Sequence, residues 1–135
     1  MIEKINFITK TMVYQTMVTA HRKPGVSQER FKERYEQHMQ MVAELCGDAT
    51  PSSHTRFYPV HGADDQPVLM AGNNEPACYS VLVLMEFEHK AAFEKFCQAL
   101  ATEEATARIE ADEAGFWDRS GMKVFEVEAH RSWGS

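Results

Sequence analysis

The sequence predicts a single α+β domain in which helices cover one face of a four-stranded antiparallel sheet. Three observations carry this: four short runs rich in β-branched and aromatic residues, a long apolar stripe at helical spacing after the first run, and a second helical region before the last. The resulting order is strand, helix, strand, strand, helix, short helix, strand.

The first strand is Tyr14–Ala20, YQTMVTA, with the composition of a half-buried pleated surface. Lys23-Pro24-Gly25 turns the chain and Ser27 is placed to cap a helix. Phe31, Tyr35, His38, Val42 and Leu45 then recur at intervals of four and three, with charged residues between them, until Cys46-Gly47 supplies a stop. Ser53–Val60 alternates, and Pro59 makes it an edge strand or ends it. Tyr79–Glu88, YSVLVLMEFE, is the clearest strand. Lys90–Leu100 aligns Phe93, Phe96 and Leu100 on one helical face, and 103–117 aligns Ala105, Ile109, Asp112 and Phe116. Met122–Ala129 alternates and closes the domain. Strand-helix-strand twice over is the split βαβ, ferredoxin-like arrangement. Its uncovered sheet face is best buried against a second copy, which predicts a homodimer.

One domain accounts for all 135 residues, with 1–13 as an N-terminal extension and 60–77 as a long loop suited to be a lid. A hydrophobic fraction of 44% with 25% charged residues is that of a globular domain, and a net charge of -6 argues against a general nucleic-acid partner. Lys4 and Lys10 interrupt the first apolar runs, so neither a signal-peptide core nor a membrane span is expected. Cys46, Cys78 and Cys97 sit in apolar runs without metal-ligand or redox spacing, and read as buried thiols of a reducing, cytoplasmic compartment. The six histidines form no HxH or HExxH, and nucleotide-binding glycine motifs and GxSxG are missing, so no metal is expected and a small molecule is the expected partner.

The candidates for chemistry follow from these faces. His38 lies on the stripe of the first helix and must point inward, either as a core histidine bonded to a carbonyl or as a general acid or base. Asp112 lies on the stripe of the last helix, either at its drifting rim or placed to orient His38 or the substrate. His54, Arg56 and Tyr58 share one face of the second strand, which suits a phenolic or carboxylated ligand as well as a solvated edge. Tyr35 beside His38, Tyr79 at the start of the third strand, and the aromatic pair Phe116 and Trp117 are further candidates for a substrate-binding wall.

Two segments carry a resemblance. HRKPGVSQERFKERYEQHM and ADEAGFWDRSGMKVFEVEAH resemble the opening and ending of EthD-type domains: a strand, an Arg-Lys-Pro-Gly turn and a helix bearing Phe, an aromatic and His, then an Asp-Glu pair, Phe, Asp and a final strand. The resemblance spans roughly Thr16 to His130. It implies a dimeric α/β barrel with a pocket in each subunit, a functional histidine at position 38, and chemistry like that of cofactor-free decarboxylases and cyclases of polyketide pathways. The loop 60–77 is longer than the family pattern. The expected function is thus cofactor-independent decarboxylation of a hydrophobic aromatic or polyketide-derived acid, with His38 moving the proton and Arg56 or Tyr58 steadying the developing anion. Ring closure, cofactor-free oxygenation and an accessory binding role are the rivals.

Overall fold

A computed structural model describes residues 13–133. All but the last residue of the expected N-terminal extension, with the charged interruptions at Lys4 and Lys10, lies outside the described residues. The described chain runs β1 (Tyr14–Arg22), α1 (Gln28–Cys46), a 3-10 turn (Gly47–Ala49), β2 (Ser53–Phe57), β3 (Val81–Phe87), α2 (Lys90–Leu100), α3 (Glu103–Glu113) and β4 (Trp117–Val127). The strands form one sheet in the order β2-β3-β1-β4, with every neighbour antiparallel. This is the split βαβ arrangement expected from the element order. No helix among the described residues is long and apolar enough to cross a membrane.

Local chemistry explains the boundaries. The Ser27 hydroxyl accepts from the Arg30 N–H at 3.1 Å to start α1. Gly47, at φ +55°, ends it in the left-handed region. His89 caps α2, its Nδ1 accepting from the Ala92 N–H at 3.1 Å. Tyr79 and Ser80 precede β3 rather than belonging to it, and β2 stops at Phe57, short of Tyr58.

Alternation divides the sheet cleanly. Thr16, Val18 and Ala20 on β1 and Val81, Val83, Met85 and Phe87 on β3 are all buried beneath the helices. The register Thr16↔Met85, Val18↔Val83 and Ala20↔Val81 stacks them row by row. Phe31, Phe87 and Phe116 anchor the core with no more than 1% exposure. The opposite face carries Met17, Leu82 and Leu84, flanked by Phe57 and Phe125, which are 51% and 43% exposed.

The last helix and last strand differ most from expectation. The helical pattern continues to Trp117, yet α3 ends at Glu113 and the chain turns through Gly115, after which Trp117 opens β4 opposite Arg22. The strand therefore starts five residues before Met122, and it is bulged. Between Thr19↔Lys123 and His21↔Asp118, β1 advances two residues while β4 advances five. The three extra residues reverse the side-chain parity of β4, so Trp117 and Arg119 face the same side as Met122 and Val124. Gly121 sits inside this bulge, where a Cβ would lie 2.8 Å from the His21 ring. Of the cysteines read as buried thiols, only Cys46 is fully buried; Cys78 is half-buried and Cys97 exposed.

The edge strand β2 is tied to α1 by Glu36, which accepts from Arg56 Nε and Nη2 at 2.6 Å each and from the Tyr58 hydroxyl. The hydrogen bonds from Arg56 hold this carboxyl below its ordinary range. Because the folded-state value is depressed, the stabilisation is complete above the unfolded value of 4.5 and is lost as pH falls through the folded one. The Glu36 side chain is 40% exposed, so screening limits the contribution to about 1 kcal/mol. Glu36→Gln is expected to lower stability by about that amount at pH 7 in urea melts. The difference from wild type should shrink at pH 3; an equal difference at both pH values would contradict the assignment.

Candidate active site

The site is built where α1 and α3 converge over the sheet. His38 is 1% exposed, and its Nδ1 lies 2.7 Å from Asp112 Oδ2. A carboxylate can only accept, so Nδ1 carries the proton and Nε2 is left as the reactive edge. Asp112 is itself held by Arg34, whose Nη2 donates to Oδ1 at 3.0 Å. The Arg34 guanidinium also stacks 5.3 Å above the Phe116 ring. The imidazole is wedged among Tyr35, Phe116 and Trp117, with the last two ring centroids each 5.6 Å away. Packing and the Asp112 bond together fix both its plane and its tautomer.

The Nε2 edge turns toward Glu113, whose Oε2 is 3.9 Å away. Adjacent helical residues point about 100° apart, so the end of α3 brackets one imidazole, with Asp112 at Nδ1 and Glu113 beyond Nε2. Glu113 is 4% exposed. Arg119 Nε donates to its Oε2 at 3.1 Å and lies 2.9 Å from Oε1, which has no hydrogen bond among the described residues. Burial pushes the Glu113 carboxyl above its ordinary range, and Arg119 pulls the other way.

These groups border a cavity of about 590 Å³ between the inner sheet face and the helices. Its walls are largely apolar, drawn from Met39 and Val42 on α1, Phe93 and Phe96 on α2, and Val83 and Val124 on the sheet. That size suits a small organic ligand. His54 reaches it from β2, and burial holds that imidazole below its ordinary range. Among the described residues, Arg119 is the one Arg or Lys on the lining.

The residues proposed from sequence divide into two groups. His38, Tyr35, His54 and Trp117 line the cavity, and Asp112 supports His38 from behind. Arg56 and Tyr58 are drawn to Glu36 and do not line it, because the carboxylate on α1 satisfies both. Tyr79 lies outside the lining, since it precedes β3 at the Arg22 end of the sheet, and Phe116 is fully buried behind the His38 ring. The loop 60–77, expected as a lid, contributes no residue to the cavity. It is fastened instead at Asp65, which accepts from Arg22 Nη1 at 2.5 Å and from the Gln28 N–H at 3.2 Å.

Sequence reasoning missed Glu113 and Arg119. Glu113 falls off the stripe that singled out Asp112, although the adjacent acidic pair was itself the signal. Arg119 faces inward only because β4 is bulged, which simple alternation cannot reveal.

Comparison with known proteins places this geometry in a family. The model of the EthD domain matches residues 23–120. Comparison with curated proteins gives no match. Among solved structures, an EthD-like protein from Ralstonia eutropha is 19% identical, covering 90% of this chain and 97% of its own, with a TM-score of 0.56. A dimeric ferredoxin-like protein from Thermobifida fusca is 12% identical over 89% and 93% of the two chains, with a TM-score of 0.52. An ethyl tert-butyl ether D (EthD) family protein from Bacillus halodurans is 13% identical over 87% and 99%, with a TM-score of 0.51. At these identities the structures speak for a shared ferredoxin-like fold. With the family match running from the turn after β1 to the bulge of β4, the chain belongs to the EthD domain family.

Proposed function

We propose that this protein is a cofactor-independent lyase that removes carbon dioxide from a hydrophobic aromatic or polyketide-derived carboxylic acid. One observation carries the reading: a fully buried histidine has one nitrogen fixed by a carboxylate and the other facing an apolar cavity large enough for such a ligand. A proton donor held at one edge of a largely apolar pocket is what replacing a carboxylate by hydrogen needs.

In this reading the His38 imidazolium gives its Nε2 proton to the carbon that loses the carboxylate. Asp112 steadies the ring and its charge without moving the proton, and is a positioning residue. Tyr35 and Trp117 wall the ring of the substrate, and His54 and Arg119 take the anion-steadying role first expected of Arg56 and Tyr58. Apolar walls strip water from the departing carboxylate. The dimer enters through the outer sheet face, where Met17, Leu82, Leu84 and Phe125 form an apolar surface.

His38→Gln is expected to stay folded and to lose roughly 10²–10⁴-fold in carbon dioxide release from aryl and polyketide acids. Asp112→Asn is expected to lose less and to shift the pH profile, which a purely structural role would leave in place. Normal turnover by folded His38→Gln would sink the mechanism. Sedimentation at micromolar concentration should give twice the 15.4 kDa chain mass, and Leu84→Asp should return the single-chain value. A wild-type monomer would contradict the sheet-to-sheet assembly.

A further inference from the structure

Glu113 has no part in the mechanism above, yet its surroundings are those of a working group. It is a carboxyl buried to 4% exposure on the wall of an apolar cavity. Its one hydrogen-bond donor among the described residues is Arg119, 54% exposed, whose single Nε–H straddles the carboxylate at 3.1 Å from Oε2 and 2.9 Å from Oε1, so that Oε1 has a charge contact but no hydrogen bond of its own. A purely structural buried carboxylate is ordinarily satisfied at both oxygens, since an unpaired one is costly to ionise. The 3.9 Å to His38 Nε2 exceeds a direct hydrogen bond, but it is short enough for one ligand oxygen to touch both groups.

We propose that Glu113 is a second proton-transferring residue of this cavity, working on the Nε2 side of His38 while Asp112 holds the Nδ1 side. The proposal rests on the reading of His38 as proton donor and adds its reloading. The C–C bond to the carboxylate breaks, its electron pair takes the His38 Nε2 proton to form the new C–H bond, and carbon dioxide leaves. The carboxylic proton of Glu113 then passes to the neutral imidazole through one oxygen, of solvent or of the product, that bridges the 3.9 Å between them by taking the proton from Glu113 while giving one to Nε2. Glu113, now a carboxylate, is held by Arg119 until solvent returns a proton. Net, one carboxylate and one proton become one C–H bond and carbon dioxide.

The groups around Glu113 set this balance. Tyr35 and His38 face it from α1, Arg119 from β4 and Glu110 from one turn earlier on α3, while His54 and Cys97 share the cavity from β2 and α2. Burial and Glu110 favour the protonated form, whereas Arg119 and a charged His38 favour the carboxylate. An anionic substrate that draws Arg119 toward itself tips Glu113 toward the acid, which is the form needed for reloading.

The test uses carbon-13 glutamate NMR on the intact protein, following the Glu113 carboxyl in wild type, His38→Gln and Arg119→Gln. The wild-type midpoint should lie above the ordinary ~4.3, and each substitution should raise it further by removing a cation. A Glu113→Gln protein should fold, lose roughly 10²-fold in turnover with little change in KM, and be partly rescued by Glu113→Asp. A Glu113 midpoint unmoved by His38→Gln overturns the pairing whatever turnover does. Full turnover in Glu113→Gln beside a slow His38→Gln overturns it too and leaves the lyase reading intact. Full turnover in both variants removes the lyase reading and, with it, the proton transfer proposed for Glu113.

Discussion

The contact between His38 Nδ1 and Asp112 organises this molecule. It joins the middle of α1 to the last turn of α3 across 74 residues of chain, giving a fully buried imidazole a partner in a carboxylate at the edge of the core that is still 30% exposed. Once Asp112 takes Nδ1, the imidazole has one donor spent and one edge free, and the direction of that edge is decided. Arg34 draws Asp112 from the outside and stacks on Phe116, so the same ion pair also fixes the aromatic that backs the histidine. Removing the carboxylate therefore loosens the helix end, the ring and the turn into β4 together.

That turn is the second constraint. Because α3 stops at Glu113, the next residues reach the sheet as Phe116 in the core and Trp117 at the start of β4. The bulge that follows reverses parity and sends both Arg119 and Met122 to the cavity side. A bulge re-aiming side chains beside a pocket is a recurrent device. Here it supplies the cation that makes a buried Glu113 supportable, so the charges beside His38 depend on three extra residues in an edge strand.

The fold was largely legible in the sequence because its strands and first helix have one-sided burial. Val18 and Val83 pair on the inner face as alternation requires, and Phe31, Tyr35 and His38 share the helical stripe that buries them. Elements failed where two periods overlap: Ile109, Asp112 and Phe116 continue a helical spacing through residues that actually turn at Ala114-Gly115, after which Trp117 pairs with Arg22 in the sheet. The site was half legible. His38 and Asp112 announce themselves as polar residues on apolar stripes. Arg56 and Tyr58 share the predicted strand face, but nothing local reveals that Glu36 on α1 captures both. Glu113 and Arg119 depend on the end of a helix and on a bulge, features set by long-range register.

The central claim is that Asp112 fixes the tautomer of His38 so that Nε2 is the edge presented to the cavity. Long-range nitrogen–proton NMR of the histidine rings, recorded on the wild-type protein at a pH where the ring is neutral, reads this directly. The account predicts a protonated, pyrrole-type Nδ1 and a bare, pyridine-type Nε2 for His38. The opposite tautomer, or rapid exchange between the two as in an unanchored ring, would contradict it.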